Sequence, residues 1–322
     1  MSLHTPLCDL LGVKHPIMLA GMGGVSYAEL AAAVSNAGGY GVLGMAGRTP
    51  EFIRDEMRKV KSLTDKPFGV DLLAASPESL TASVEIIIEE GASSFVAGLG
   101  VPMPIMEKLK KAGLKVMVVC GAVKHAVKAE QAGCDAVICQ GGEGGGHTGL
   151  VGTMPLVAQA VEAVKIPVVA AGGIADGRGL AAALMLGAAG GLCGTAFYVS
   201  AESLTHPHLK RVAVKGSGDD TVRSSVIDVA RDIAWPQAFN IRTLRNAFID
   251  EWAGDLDGLR THREREQARY VKARDVGDSS VSAAIVGEGI DLIHTEAAAG
   301  DIVRTMVVDA EARLKTAAGF LV

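Results

Sequence analysis

Between residues 16 and 200 the chain repeats one unit: a short apolar run, a loop, and an amphipathic stretch that ends near a glycine. The apolar runs cover residues 16–22, 40–44, 68–73, 94–99, 115–120, 136–140, 167–171 and 190–194, eight in all. Between them the pattern predicts helices over 27–36, 50–62, 77–90, 103–111, 123–131, 154–164 and 179–186, several followed by Ala-Gly or Glu-Gly, where glycine takes a left-handed cap. The strands are continuous Val, Ile and Ala runs rather than alternating ones, so both their faces are buried, as parallel strands under helices must be. Eight such units in so short a span point to a (β/α)8 TIM barrel, with a doubly wound open sheet as the rival. In a barrel the chemistry gathers at the C-terminal ends of the strands. The unusual clusters fall there: Ala20 to Gly24, Asp71, Gly98, the loop around His147, Gly172-Gly173 and Gly194-Thr195. One open-sheet crevice would not need six strands to contribute.

Residues 1–200 therefore read as the barrel, and residues 201–322, where the repeat stops, as helical throughout. The later segment is expected to cap the barrel mouth and build one wall of the substrate site; packing or an oligomer contact is the plainer alternative. A net charge of −5 and only thirteen aromatic residues give no basic face and no stacking platform for nucleic acid. A small-molecule ligand is the expectation. The five cysteines, at 8, 120, 134, 139 and 193, lack metal-type spacing and read as buried thiols in a reducing cytoplasm. No apolar run approaches the ~20 residues needed to cross a bilayer. A homodimer is allowed by the sequence and not required by it.

Gln140 to Gly149 is the densest of the clusters, with five glycines around Glu143 before His147. Backbone without Cβ can approach a flat or anionic ligand, and one titratable ring is held beside it. A lone histidine is more often structural, but glycines on both sides leave this one nothing in its own segment to pack against. That favours presentation to a ligand and proton transfer at carbon. Glu143 either orients His147 or fixes the loop, the latter being preferred. Gly144, Gly146 and Gly149 match a dinucleotide fingerprint in spacing, yet no helix opens on them and no acid follows where a ribose would need one. Glycine pairs at the ends of the last two strands, Gly172-Gly173 and Gly194 before Thr195, occupy the usual phosphate position of this fold. The remaining histidines have no ligand spacing, and no metal site is expected.

These pieces together resemble the nitronate monooxygenase family, formerly 2-nitropropane dioxygenases. The resemblance rests on His15 to Met22, Asn36 to Gly41, Lys66 to Val70, Gln140-Gly-x-Glu-x-Gly-Gly-His147-x-Gly149, Ala171 to Gly177 and Gly194-Thr-x-Phe197, with weaker matches at Arg242 to Asn246 and Gly287 to Ile293. It implies FMN as cofactor and His147 as the catalytic residue. It further implies that Ala20, Gly21 and Met22 lie along the flavin ring, that Asp71, Gln140, Gly145 and Gly146 contact the flavin, and that Gly172, Gly173, Cys193, Gly194 and Thr195 surround its phosphate. Three departures stand out. Gly21 replaces a frequent proline, Asp71 replaces the usual asparagine, and Ala122 replaces a lysine found in some relatives. With Lys124-His125, these also resemble sister branches that reduce quinones or enoyl-CoA and enoyl-acyl-carrier thioesters with NAD(P)H. The expected activity is oxidation of alkyl nitronates by O2 to a carbonyl compound and nitrite. NAD(P)H-dependent reduction is the alternative, and a phosphate-binding barrel without redox chemistry is a third reading.

Overall fold

The computed structural model describes residues 3–74, 77–233, 235–236, 239–317 and 319. Eight parallel strands form one sheet: β1 (Ile17–Leu19), β2 (Gly41–Gly44), β3 (Phe68–Leu73), β4 (Ser94–Gly98), β5 (Lys115–Cys120), β6 (Ala136–Gln140), then β8 (Val168–Ala171) and β9 (Gly190–Cys193). A two-residue strand, β7 (Gly146–His147), lies outside that sheet. The sheet order runs β1-β9-β8-β6-β5-β4-β3-β2. It closes on itself through a parallel bridge between Met18 and Tyr40, with Tyr40 N–H donating to the Ile17 carbonyl at 2.8 Å and Leu19 N–H to the Tyr40 carbonyl at 2.9 Å. The barrel is therefore a closed ring rather than an open sheet.

Around the ring lie α2 (Ala28–Asn36), α3 (Pro50–Leu63), α4 (Pro77–Glu89), α5 (Met103–Lys111), α6 (Val123–Gln131), α7 (Thr153–Ala163) and α8 (Gly177–Met185), while α1 (Pro6–Leu11) precedes the first strand. The helix boundaries follow local chemistry. Thr49 accepts from Phe52 N–H ahead of Pro50, and the Asp176 carboxylate caps α8 through the N–H groups of Arg178 and Gly179. Left-handed glycines at 38, 91, 113, 133 and 187 follow the helices as expected.

Alternation along the strands makes two cores. Met18, Val42, Val96, Met117, Ile138 and Val169 point inward and are joined by Leu7 and Leu11 of α1, which plug the N-terminal end. Ile17, Leu19, Val70, Leu72, Val116 and Val118 point outward into the helix layer. Counting by twos from the inward set, Ala20, Asp71, Gly98, Val119, Gln140 and Leu192 form the topmost inward layer, and all six are half-buried. That layer is the floor of the mouth.

Residues 201–322, expected to be helical throughout, also hold two strands, β10 (Thr221–Ser224) and β11 (Ile241–Leu244). They pair antiparallel with each other, and β11 pairs with β7, so a three-stranded sheet joins this region to the His147 loop. Four-residue strands in a charged segment leave too little pattern to distinguish from helix. A short helix α9 (Thr195–Tyr198) follows β9, and the later region further holds α10 (Pro207–Lys215), α11 (Val226–Ala230), α12 (Ala247–Trp252), α13 (Leu256–Thr261), α14 (Arg263–Val276) and α15 (Ala299–Ala317). The last of these packs between α8 and α2, closing the outer ring of helices. No helix among the described residues is long and apolar enough to cross a membrane.

Glu90, just after α4, ties α4 to α3. Its carboxylate accepts from Lys61 at 2.5 Å, Arg58 at 2.8 Å and Arg54 at 3.0 Å. Lys61 first, then Arg58 and Arg54, hold its pKa down at about 2 from 4.5. A depressed carboxylate stabilises the fold above its unfolded pKa, and that stability is lost as pH falls from about 4.5 toward 2. Denaturant titrations of the wild type and Glu90→Gln at pH 6 and pH 3 should differ by about 1 kcal/mol at the higher pH, with the gap narrowed but not closed at the lower.

Candidate active site

The loops after β6 and β8 meet through tight backbone contacts at glycines, and those after β1 and β9 lie in ordinary contact beside them. A Cβ on Gly172 would lie 3.0 Å from the Gly141 carbonyl, and one on Gly144 would lie 3.3 Å from Gly172 Cα. A Cβ on Gly194 would rest 3.5 Å from that of Ala20 and 3.6 Å from Met22 Sδ, while one on Gly21 would collide with the Asp71 side chain. The ends of strands 1, 3, 6, 8 and 9 thus come together at one end of the barrel.

Residues 286–288 of the C-terminal region complete it. Gly287 N–H donates to Thr195 Oγ1 at 3.0 Å and Glu288 N–H to the Glu143 carbonyl at 2.9 Å. A Cβ on Gly145 would stand 2.7 Å from the Val286 carbonyl carbon, so the absence of a side chain at Gly145 is accounted for by this strip. Gly146, at φ +80°, carries the β7 pairing to Arg242. Gln140 reaches the same loop, its Nε2 lying 3.5 Å from the Gly145 carbonyl. Glu143 fixes the loop rather than the histidine: its carboxylate accepts from Thr153 N–H at 2.9 Å and from Thr153 Oγ1 at 3.0 Å.

At the phosphate position, Gly172 and Gly173 have φ of +98° and +71°. Their N–H groups make no hydrogen bond to any described residue. Thr195 Oγ1 accepts from Gly287, which leaves its own proton to donate. These donors fit a phosphate. Cys193 contributes backbone only, since its side chain is buried in the helix layer.

His147 is held from three directions. Its backbone pairs with Ile241 of β11, its Nε2 lies 2.9 and 3.0 Å from the two carboxylate oxygens of Asp228, and its ring stacks on Trp235 with centroids 3.5 Å apart and planes at 12°. Asp228 is buried and Trp235 half-buried. Sequence reasoning passed over both. They lie more than 80 residues downstream in a region without a motif, and no local spacing could have linked them to His147.

The Asp71 carboxyl makes no hydrogen bond to any described residue, and Gly21, Gly44 and Val96, which pack or pair beside it, carry no charge. Desolvation pushes its carboxyl well above the usual range. Burial thus favours the protonated form at position 71 over the extra negative charge expected there, and a protonated carboxyl can both donate and accept. The residues present fit a flavin with a terminal phosphate: a glycine-rich rim, N–H groups at Gly172 and Gly173 not taken by any described residue, and Asp71 and Gln140 as polar groups in a largely apolar floor. Among the described residues no group of three His, Cys, Asp or Glu side chains could hold a metal ion.

A family model described as nitronate monooxygenase matches residues 4–309. The chain is 44% identical over 231 residues to the (3aS,4S,5R,7aS)-5-hydroxy-7a-methyl-1-oxo-octahydro-1H-indene-4-carboxyl-CoA dehydrogenase of Mycobacterium tuberculosis. That match covers 71% of this chain and 65% of the relative's length, slightly less than two thirds of it. Among solved structures, FabK from Thermotoga maritima superposes with a TM-score of 0.89 at 34% identity, over 99% of this chain and 100% of that one. A nitroalkane oxidase from Streptomyces ansochromogenes gives 0.84 at 30% identity, over 97% and 99%.

Because the folded-state pKa of Asp71 is raised, its carboxyl destabilises the fold as pH climbs from the unfolded value of 3.8 toward the folded one. In the protein stripped of any cofactor, Asp71→Asn should be more stable than wild type at pH 8, by about 1–3 kcal/mol. Denaturation at pH 3.5 should find the gap closed.

Proposed function

The chain belongs to the nitronate monooxygenase family, and from that premise we propose that it is an FMN-dependent oxidoreductase acting on an acyl-CoA thioester. The family is one of flavin-dependent oxidoreductases. One observation carries the choice of FMN: the loops after strands 1, 6, 8 and 9 form a Cβ-free cradle with unpaired N–H groups at one end and His147 on the same loop as Gly144. The thioester reading is supported by the 44% identity, over 71% of this chain, to a relative named as a dehydrogenase of a carboxyl-CoA substrate, against 30% to the nitroalkane oxidase over 97%.

Bound FMN would supply the two-electron redox chemistry. The N–H groups of Gly172 and Gly173 and the Thr195 hydroxyl would bind its phosphate. Ala20 and Met22 would flank the ring, Gly21 leaving room for Asp71 beneath it. His147 would take a proton from substrate in the oxidising direction and return it in the reducing one. Trp235 covers one face of the imidazole and keeps water from it.

Nitronate oxidation with O2 is the second reading, favoured by the superposition on the nitroalkane oxidase along nearly the whole chain. The two separate in an anaerobic half-reaction with FMN-loaded protein. Acyl-CoA thioesters, or NADH and NADPH with an enoyl-CoA acceptor, should change the flavin absorbance within the mixing time if the thioester reading holds. Bleaching by short alkyl nitronates alone would replace it with the second. His147→Ala should bind FMN as wild type does while slowing turnover by about 100-fold or more; an unchanged rate with every substrate would remove the histidine from the chemistry.

A further inference from the structure

Asp228 has no established role, and its surroundings demand one. It sits on α11, is 3% exposed, and both its oxygens face a single hydrogen-bond donor, Nε2 of His147. No other described side chain or backbone group donates to it. A buried carboxylate normally gathers several donors, because the cost of removing it from water must be offset. Tyr270 of α14, whose hydroxyl burial keeps neutral, also feels the Asp228 charge, and Arg231 and Arg274 act on that same tyrosine.

We propose that Asp228 is the positioning residue of the active site: it holds the His147 ring with the proton on Nε2 and so leaves Nδ1 as the nitrogen that exchanges a proton with substrate. The inference rests on the reading of His147 as the acid and base. The geometry carries it in three steps. A carboxylate accepts and does not donate, so the ring nitrogen facing it carries hydrogen. Nδ1 meets no described hydrogen-bond partner. Trp235 covers one face of the ring, so an incoming group meets the ring at its edge or its other face. No new bond or electron is needed: one proton moves between Nδ1 and substrate while the Nε2 proton stays with the pair.

A merely structural Asp228, pinning α11 to the barrel, would put the same atoms in contact, so the test must read the ring itself. In FMN-loaded protein labelled with 15N-histidine, the long-range 1H–15N spectrum of wild type should show His147 as the Nε2–H form when neutral. Asp228→Asn introduces an amide that can donate to Nε2, and it should shift the signals toward the Nδ1–H form. The same variant should lower kcat by about 100-fold or more, with KM and FMN affinity changed by less than about threefold. Wild-type signals of the Nδ1–H form would overturn the proposal without any variant, which covers the case of a misfolded Asp228→Asn. An Asp228→Asn protein with wild-type kcat would overturn it as well. Failure of the reading beneath is seen separately, as a His147→Ala enzyme that turns over at the wild-type rate.

Discussion

The site depends on one contact between two backbones, Gly145 in the loop after β6 and Gly287 in the strip before α15. A Cβ on either would lie within 3 Å of main-chain atoms of the other segment, Val286 in one direction and Glu143 in the other. Main chain cannot rotate out of the way as a side chain can, so neither position tolerates alanine without separating the segments. The same strip carries the Gly287 bond to Thr195 and the Glu288 bond to Glu143. Two barrel loops and the C-terminal region are thereby set in one register.

Two of the carboxyl groups near the mouth, Asp228 and Asp71, are treated by the fold in opposite ways. Asp228 is given a donor at 2.9 Å, which makes burial of its charge tolerable. Asp71 is given none, and its environment favours the protonated form instead. Asp228 sits behind the histidine and Asp71 on the floor, while the Glu143 carboxylate is held within the loop by Thr153. Arg242 adds to this arrangement by donating to the Gly142 carbonyl and pairing with Glu288, which fixes the loop from the cap side.

Much of the barrel was legible because the strands are buried on both faces and most of the surrounding helices end before a left-handed glycine. Pro50, Asp176 and the Ala-Gly pairs work at a range of three or four residues, the range over which sequence patterns are read. What could not be read depends on distance. β1 has three residues, and its role in closing the ring appears only through Tyr40 and Cys193, contacts set by topology. Thr221–Ser224 and Ile241–Leu244 are strands only because each has the other, and β7, to pair with. Asp228 and Trp235 become partners of His147 only after that small sheet has formed.

The glycines around His147 invite the idea of a mobile loop that offers its histidine to whatever arrives. The structure argues for the opposite use. Gly144, Gly145 and Gly149 lie where neighbouring main chain comes too close for a Cβ, at Gly172, Val286 and Gly121 respectively, so their smallness is spent on contact rather than on freedom. His147 itself sits in a strand pair with its ring bonded at one nitrogen and stacked on one face. Proton transfer requires that the donor and acceptor atoms meet within hydrogen-bond distance, and a displacement of about 1 Å can cost two orders of magnitude in rate. A glycine-rich loop meets that demand when its backbone is packed against other backbone. The cap, far from being a cover added to a finished barrel, supplies the β11 pairing, Asp228 and Trp235 that hold the ring.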